Sequence, residues 1–345
     1  MPAEWEAVGG VIVAWPHENT DWAYMLGEVQ QTYDDLIHAI SRHAVAVVIA
    51  PDTCILRERF ADIEQDRILF FDVDTNDTWT RDYGVITAED TAGNTILNDF
   101  GFNAWGGKFE CHLDNAVTAR MVEAGLLCGH YNDCNDFILE GGSIESDGRG
   151  TILTTDSCLL TETRGRNMPI EQMRAYVERE LSQRLGADHI LWLDHGALEG
   201  DDTDGHIDTL ARIAPNDTIL YVASSCDGEP DSQTAELDKM LETLRSFRTV
   251  GGKPYNLLEL PLPNPIYDED GNRIPATYAN YLVVNDAILM PSYGQPQKDL
   301  LAEMTLKVAF PDHTIERVDC NSLIKQHGSL HCATMQIPPA ALPTL

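Results

Sequence analysis

Basic residues are scarce in this chain. Its 345 residues include 23 lysines and arginines against 56 aspartates and glutamates, which leaves a formal net charge of -33. A surface of that sign repels nucleic acid and anionic lipid and attracts small cations. We therefore expect no nucleic-acid partner and no membrane partner. Because acidity also serves solubility or a salty habitat, the charge is consistent with a cationic substrate without indicating one.

Long apolar runs and paired cysteines are also missing. No apolar run approaches the roughly 20 residues that a membrane span needs. The first ten residues, MPAEWEAVGG, have neither the basic nor the apolar part of a signal peptide, which favours a cytoplasmic protein. The eight cysteines contain no CxxC pair, so we expect most of them to be buried and reduced. A zinc site is an alternative for one cluster, although its spacing is unusual for structural zinc: Cys111, His112, Cys128, His130 and Cys134.

Short apolar runs alternate with amphipathic stretches, which predicts an α/β fold. The predicted strands are residues 11–15, 44–50, 68–73, 95–100, 151–155, 218–223, 281–289 and 314–318. The predicted helices are residues 24–42, 170–185, 233–247 and 298–310. Only a turn, residues 89–94, separates two strand candidates, so we expect mixed and antiparallel pairing. No linker marks a boundary, and a chain of this size folds as one unit in barrels and propellers, so we expect a single catalytic domain over residues 1–345.

Four polar segments look chemical rather than architectural. The first is NDTWTRDYG, residues 76–84. A carboxylate such as Asp82 can hold a guanidinium by a planar two-bond fork, and an aromatic face such as Trp79 can cover a cation. The alternative is structural: Asp77 caps a turn, Arg81 pairs with Asp82 at the surface, and Trp79 fills the core.

The second segment is LEGGSIESDGRGTILTT, residues 139–155. Glu140 precedes two glycines, where the backbone can turn sharply and leave a side chain pointing into a cleft. The alternative is a hairpin with its turn at residues 147–150 and Glu140 as an exposed strand end. The hairpin and the site are compatible.

The third segment is GDDTDGHIDTLARIA, residues 200–214. If residues 205–213 are extended, His206 and Asp208 project from one face and Ile207 from the other. One strand would then present an acid and base pair. The same spacing is common among metal ligands, and spacing alone leaves both interpretations open.

The fourth segment is HGSLHCATMQIP, residues 327–338. A lone buried cysteine such as Cys332 is usually a small hydrophobe, and on a strand His331 would point away from it. The interpretation changes when the four segments are taken together. A thiol, an imidazole and three carboxylates form a complete set for attack on a poorly electrophilic carbon.

The whole chain resembles the guanidino-group-modifying superfamily, and most closely the agmatine deiminase and bacterial peptidylarginine deiminase family. Five motifs in order carry the resemblance: MPAEWEAVGGVIVAWP (1–16), WTRDYG (79–84), EGGSIESDGRGTILTT (140–155), TDGHIDTLAR (203–212) and LHCATMQ (330–336). The resemblance implies a five-bladed, pseudo-symmetric α/β propeller, or pentein, of ββαβ units around a central channel.

The resemblance also implies roles. Cys332 is the nucleophile, His206 the general acid and base, and Asp82 with Asp208 the guanidinium clamp. Glu140 is a further partner of the substrate or of His206. Trp79 and Gly328 line the pocket. No metal and no organic cofactor is implied.

The implied reaction is deimination of a small cationic guanidine, with agmatine as the expected substrate and N-carbamoylputrescine and ammonia as products. Residues 326–332, QHGSLHC, depart from the family pattern, which has a run of glycines before N-I-H-C. The specificity for the part of the substrate beyond the guanidino group therefore stays open. Peptidylarginine and free arginine are alternative substrates. From other classes, a metal-dependent hydrolase with His206, Asp208 and Glu140 as ligands and a non-catalytic guanidine binder are alternatives. A homo-oligomer is left open.

Overall fold

The structure is a computed structural model that describes residues 1–165, 168–224 and 232–343. The strands in these ranges are β1 (Gly10–Ala14), β2 (Val45–Ala50), β3 (Ile68–Asp72), β4 (Ile86–Glu89), β5 (Thr95–Gly101), β6 (His130–Ile138), β7 (Ile144–Ser146), β8 (Thr151–Thr155), β9 (His189–Leu193), β10 (Ala211–Ala214), β11 (Thr218–Val222), β12 (Asn256–Leu260), β13 (Ile266–Tyr267), β14 (Arg273–Ile274), β15 (Leu282–Val284), β16 (Ala287–Ser292), β17 (Thr314–Asp319) and β18 (Met335–Ile337).

The helices in these ranges are α1 (Leu26–His43), α2 (Cys54–Arg59), α3 (Thr80–Tyr83), the irregular α4 (Ala104–Gly107), α5 (Val117–Glu123), α6 (Asp156–Leu159), α7 (Ile170–Leu185), α8 (Ser232–Ser246) and α9 (Pro296–Ala309). Short 3-10 turns lie at Asp21–Met25, Asp114–Ala116, Gly141–Ser143, Ile207–Thr209, Leu323–Gln326 and Pro339–Ala341. The predicted α/β class is confirmed. None of the described helices has the length and apolar character to cross a bilayer.

Five of the sheets in the described ranges contain the same arrangement of three strands. In β4-β5-β6, β7-β8-β9, β10-β11-β12 and β15-β16-β17, the first two strands are antiparallel and the middle strand pairs in parallel with the third. A helix connects each parallel pair, as a parallel crossover requires. The fifth sheet, β18-β1-β2-β3, follows the same order with β18 antiparallel to β1. The two ends of the chain therefore meet in one sheet, and the predicted mixed pairing is confirmed.

The middle strands are buried on both faces. Every residue of β2, with the sequence VAVVIA, is buried, and the same holds for β8 and β11. Strands covered on both sides form continuous apolar runs, which explains why the sequence predicted them well.

Strand β6 was missed because it carries the opposite signal. It is an edge strand of its sheet, and its sequence HYNDCNDFI is mostly polar and partly exposed. The predicted strand at 281–289 is wrong as a single element. It is two strands, β15 and β16, separated by a turn in which Asn285 has a left-handed φ of 52°. Asparagine tolerates that conformation, and its side-chain amide donates to the carbonyl oxygens of Val8 and His43.

Candidate active site

The predicted site segments meet around Gly142. A Cβ atom built on this glycine would lie 2.7 Å from His206 Nδ1, 2.9 Å from Asp82 Oδ1 and 3.1 Å from Asp208 Oδ2. The Gly142 amide also donates a hydrogen bond to Asp82 Oδ1 over 3.1 Å. The missing side chain thus makes room for an imidazole and two carboxyl groups to converge.

Asp82 lies in α3 and is buried. Its Oδ2 accepts a hydrogen bond from Trp105 Nε1 at 2.9 Å. Burial raises the pKa of Asp82 well above its usual value, and the carboxylates of Asp208 and Glu140 raise it further. In the absence of a cation, this carboxyl group therefore favours its protonated form.

The structural alternative for the first segment is wrong in one respect. Arg81 is buried and does not pair with Asp82 at the surface. Its Nη1 lies 3.0 Å from Glu4 Oε1 and its Nη2 donates to Gln336 Oε1 at 2.5 Å. The Asp82 carboxyl group is therefore not paired with Arg81 and remains available to the other site residues.

Residues 205–213 are not extended throughout, so the condition for His206 and Asp208 to share a strand face is not met. His206 precedes a 3-10 turn at Ile207–Thr209, and β10 begins only at Ala211. Glycine at 205, with a φ of 92°, gives the chain a sharp turn there. His206 and Asp208 therefore reach the same site from a turn rather than by alternation along a strand.

His206 is completely buried, and neither ring nitrogen has a hydrogen-bond partner among the described residues. Its Nδ1 lies 3.6 Å from Asp82 Oδ1. Burial lowers the pKa of His206 to about 3, although the Asp208 carboxylate opposes the shift. The ring is therefore neutral at physiological pH.

Asp208 has one occupied and one unoccupied oxygen. Its Oδ2 lies 2.8 Å from His331 Nδ1 and accepts from Asn280 Nδ2 at 3.2 Å, whereas Oδ1 has no partner in the described ranges. Burial raises the pKa of Asp208, but the hydrogen bond and charge of His331 outweigh it and hold the pKa below its usual value. Asp82 and Asp208 are thus pushed toward opposite protonation states.

Cys332 lies in a turn and not on a strand, so the strand alternation that would direct His331 away from it does not apply. Asn280 Oδ1 accepts hydrogen bonds from the amides of both His331 and Cys332, at 2.9 and 3.2 Å. Both side chains then reach Asp208: Cys332 Sγ lies 3.7 Å from its Oδ2. Burial raises the pKa of Cys332 well above 9, and the carboxylates of Asp208 and Asp82 add to this. The resting group is a thiol.

Glu140 is fully buried, so the exposed-strand-end alternative is wrong, while the hairpin of β7 and β8 with its turn at residues 147–150 is confirmed. Arg164 Nε lies 2.8 and 2.9 Å from the two Glu140 oxygens. The same guanidinium donates to Asp204 Oδ2 at 2.6 Å and to the Thr203 carbonyl at 2.9 Å. Arg164 therefore ties Glu140 to the loop that precedes His206.

A cavity of about 360 Å³ leads to Cys332 and Asp82. Trp79 and Gly328 line it as predicted, and a Cβ atom on Gly328 would lie 2.3 Å from the Trp79 ring. Its wall also includes Asp21, Tyr24, Asp77, Trp105, Phe109, Asp202, Thr203, Lys325, Gln326 and His327. Among these residues the one lysine, Lys325, is already paired with Glu28 at 2.7 Å.

Sequence reasoning missed several residues of the site: Glu4, Trp105, Arg164 and Asn280. Each lies outside the four segments, and no local pattern singles it out. Asn280 comes immediately before a predicted strand, where an asparagine is an ordinary turn residue. Only the tertiary structure shows that its amide spans Asp208 and Cys332.

The described residues form two groups of three whose possible metal-ligating atoms lie within 4.8 Å of one another: Glu140, Cys158 and His206, and Glu4, Glu145 and His331. In both groups the carboxylates are already bound by a buried guanidinium, from Arg164 or Arg212. A cation would compete with that charge, so neither group suits a metal. Within the described ranges, neither the predicted set of His206, Asp208 and Glu140 nor the 111–134 cluster forms such a group.

Seven cysteines lie in the described ranges, all without a disulfide, and four of them are buried. This agrees with the expectation of buried, reduced thiols. Cys226 lies outside the described residues.

The known proteins similar to this chain are deiminases of guanidino groups, named after peptidyl-arginine or after agmatine. The sequence model of the Porphyromonas-type peptidyl-arginine deiminase family matches residues 1–338. The agmatine deiminases of Pseudomonas aeruginosa (strain UCBPP-PA14) and Stutzerimonas stutzeri (strain A1501) are 31% and 30% identical to this chain, and each match covers 98% of this chain and 95% of the relative. A solved structure of a cysteine-to-serine variant of C. jejuni agmatine deiminase with substrate bound is 36% identical, with a TM-score of 0.88 and coverage of 99% of this chain and 96% of that one.

Proposed function

The chain belongs to the Porphyromonas-type peptidyl-arginine deiminase family and is an enzyme that acts on guanidino groups; from this premise we propose that its substrate is agmatine. The reaction converts agmatine and water to N-carbamoylputrescine and ammonia through a covalent intermediate on Cys332. One observation carries the proposal. The Cys332 sulfur lies 3.7 Å from Asp208 Oδ2, and the nearby buried atoms that lack a hydrogen-bond partner among the described residues, Asp208 Oδ1 and both ring nitrogens of His206, are those a guanidinium and its leaving nitrogen need.

Asp82 and Asp208 form the proposed clamp for the guanidinium. Carboxylates match the planar N–H pattern of a guanidinium, and a pair of them fixes its orientation relative to a nearby atom. The raised pKa of Asp82 fits this role, because a bound cation would favour the ionised form that burial disfavours. The delocalised carbon is a poor electrophile, so orientation beside the sulfur supplies much of the rate.

The bound cation also activates Cys332. The raised pKa of this thiol comes from burial and from Asp208 and Asp82, and a guanidinium held by those two carboxylates offsets their charge. As the thiol ionises, its proton passes to neutral His206. The developing thiolate and the ionised Asp82 then favour the imidazolium, which burial alone disfavours.

The chemistry proceeds in two steps. Thiolate attack on the guanidinium carbon forms the carbon–sulfur bond, and His206 protonates one nitrogen, which leaves as ammonia. In the resulting S-alkylthiouronium the remaining nitrogens stay on the carbon. His206 deprotonates a water molecule, whose oxygen attacks that carbon. The carbon–sulfur bond then breaks with its electron pair on sulfur, and the proton on His206 returns to it. The products are the ureido compound and the Cys332 thiol. Glu140 is held by Arg164 and has a carboxylate oxygen within 4.8 Å of a His206 ring nitrogen, so it is placed to act as a partner of His206.

The wall of the cavity favours agmatine over arginine. Asp21, Asp77 and Asp202 line it, and Lys325 is already paired. The second positive charge of agmatine suits this wall, whereas the carboxylate of free arginine would face acids without a free lysine or arginine among the described lining residues. Peptidylarginine is the alternative substrate, because Gln326 and His327 line the cavity in the segment that departs from the glycine run of the resembled family pattern.

We place this site in a single domain over residues 1–345, built as a five-bladed propeller of ββαβ units. Its support is the shared strand order of the five sheets and the pairing of β1 with β18, which joins the ends of the chain. A cytoplasmic location agrees with the free cysteines and stays a prediction.

The test is formation of ammonia and ureido product from agmatine, free arginine and a peptidylarginine, with and without a chelator. Wild type should turn over agmatine best, Cys332→Ala should lose turnover, and the chelator should have no effect. Cys134→Ala is the matched control, since this buried cysteine lies in β6 and donates to Asn98 rather than to the site. Turnover by Cys332→Ala would exclude the covalent route, and chelator sensitivity would favour the metal-dependent alternative.

A further inference from the structure

We propose that His331 is a positioning residue that holds Asp208 in the orientation the guanidinium requires, and that Arg212 and Glu4 fix its ring. The inference rests on the proposed role of Asp208 in the clamp. His331 itself touches no reacting atom; it acts through the carboxylate.

His331 is fully buried between three charged groups. Its Nδ1 lies 2.8 Å from Asp208 Oδ2. On the other side of the ring, Nε2 lies 3.1 Å from Arg212 Nη2 and 2.7 Å from Glu4 Oε1. One edge of the imidazole therefore faces the site and the other faces a buried ion cluster.

These contacts keep a proton on Nδ1 in either charge state of the ring. In the neutral ring, Nε2 accepts a hydrogen bond from the Arg212 guanidinium, which leaves the proton on Nδ1. In the protonated ring, Nε2–H donates to Glu4 and Nδ1–H still donates to Asp208. Burial and the guanidinium groups of Arg212 and Arg81 lower the pKa of His331, whereas Glu4 and Asp208 oppose that shift.

Arg212 is a rigid anchor for this arrangement. The guanidinium is buried, with Nε on Glu145 and Nη1 donating to the carbonyls of Ala279 and Tyr281 at 2.8 and 2.7 Å. Glu4 bridges its Nη2 to Arg81. Because every side of the cluster is bonded, the imidazole has little freedom to rotate or change tautomer.

As a consequence, the two oxygens of the Asp208 carboxylate have different roles. Asp208 Oδ2 is occupied by His331 and Asn280, while Oδ1 has no partner in the described part of the chain. Asn280 also accepts from the His331 amide at 2.9 Å, which couples the two supports. Rotation of the carboxylate would break both bonds, so Oδ1 is kept as the unpaired acceptor that we assign to the guanidinium.

The test compares His331→Asn with His331→Gln. An asparagine amide nitrogen occupies nearly the position of Nδ1 and can still donate to Asp208, whereas a glutamine amide reaches the position of Nε2. By analogy with partners that orient metal ligands, we expect kcat/KM to fall by about 10-fold in the Asn variant and about 100-fold in the Gln variant. His195→Asn and His195→Gln should leave kcat/KM unchanged, because that imidazole pairs with Glu236 at the surface.

A readout without turnover separates this inference from the proposed substrate. Alkylation of Cys332 by chloroacetamidine, a small amidinium, is compared with alkylation by neutral iodoacetamide. The carboxylate clamp should favour the cation in wild type and in His331→Asn, and His331→Gln should lose that preference. If wild type shows this pattern but does not turn over agmatine, the proposed substrate fails and the role of His331 stands.

Equal losses in the Asn and Gln variants, or a Gln variant with wild-type selectivity, would overturn the proposal. Thermal unfolding establishes whether each variant folds. If His331→Gln does not fold, histidine nitrogen NMR of the wild type decides, with the His331 signal assigned by its loss in His331→Asn. The proposal requires a protonated Nδ1, and a ring protonated at Nε2 alone contradicts it.

Discussion

Asp82 and Asp208 show how two neighbouring aspartates acquire different chemistry. Both are buried against His206, yet His331 and Asn280 support the ionised form of Asp208. In the described part of the chain Asp82 accepts hydrogen bonds from Trp105 and the Gly142 amide, and its pKa is raised. A cation that binds between them meets one carboxylate that is already ionised and one that it must ionise.

The same charges predict how the Cys332 thiol titrates. Asp208 lies 3.7 Å from Cys332 Sγ and raises its pKa, so Asp208→Asn should lower that pKa and accelerate alkylation by iodoacetamide at neutral pH, by about tenfold or more. Turnover of the same variant should fall by orders of magnitude because the clamp is broken. Alkylation is measured at Cys332 by mass spectrometry across pH.

Asp202→Asn is the control for this prediction. It removes one negative charge from the wall of the cavity that leads to Cys332, whereas the raised pKa of Cys332 comes mainly from burial and from Asp208 and Asp82. Its alkylation profile should match the wild type. Slower or unchanged alkylation in Asp208→Asn would contradict the electrostatic account of Cys332.

At the scale of elements, short turns build the site. Asp82 lies in the four-residue α3, Gly142 and Asp208 in 3-10 turns, and Cys332 in a turn before β18. Sequence periodicity identifies long elements such as α7, whose predicted range of 170–185 is the observed one. It carries no information on turns of three or four residues, which explains why it could not show that residues 205–210 turn rather than extend.

The fold brings together the residues that the motifs singled out, Asp82, Glu140, His206, Asp208 and Cys332, and their catalytic roles stay predictions. Their supports could not be found in the same way. Arg164, Asn280 and Glu4 act through contacts with residues 24 to 327 positions away, and a single sequence has no pattern for such contacts.

Gly142 gives a prediction at this scale. Gly142→Ala would place a methyl group 2.7 Å from His206 Nδ1 and 2.9 Å from Asp82 Oδ1, distances that require the site side chains to move. We expect kcat/KM to fall by about 100-fold or more, as misplacement of about 1 Å causes elsewhere, with a smaller effect on the thermal midpoint. Steady-state kinetics and thermal unfolding measure the two effects.

Gly27→Ala is the matched control, since Gly27 lies in the first turn of α1 with no atom within 4 Å of its added Cβ. Alanine favours a helix over glycine, so stability should be kept or increased and activity unchanged. Near wild-type kinetics for Gly142→Ala would mean that the site side chains have more room than the structure gives them.

The whole molecule carries a net charge of -33, and two of its acids lie close together beside the cavity, the partly buried Asp77 and the buried Asp114. Burial raises the pKa of Asp77 to about 7 and that of Asp114 to about 8, and each is raised further by a neighbouring acid. Asp114 accepts hydrogen bonds from the Asn76 and Asp77 amides, which fix the chain just before Trp79. The cavity wall is thus supported by acids that favour protonation.

These acids predict that the protein is more stable at mildly acidic pH than at alkaline pH. An unfolded aspartate titrates near 3.9, so between about pH 4 and pH 8 the folded chain holds more protons than the unfolded chain, and stability falls as pH rises. Repulsion among surface acids acts in the same direction but is screened by salt.

Asp114→Asn keeps the acceptor oxygen without the charge. It should therefore raise the thermal midpoint at about pH 8 by roughly 2–4 °C, even in about 0.5 M salt, and flatten the pH dependence. Asp270→Asn removes one charge from an exposed turn and should change the midpoint only at low salt. If the two variants respond alike, the pH dependence comes from the net charge and not from Asp77 and Asp114.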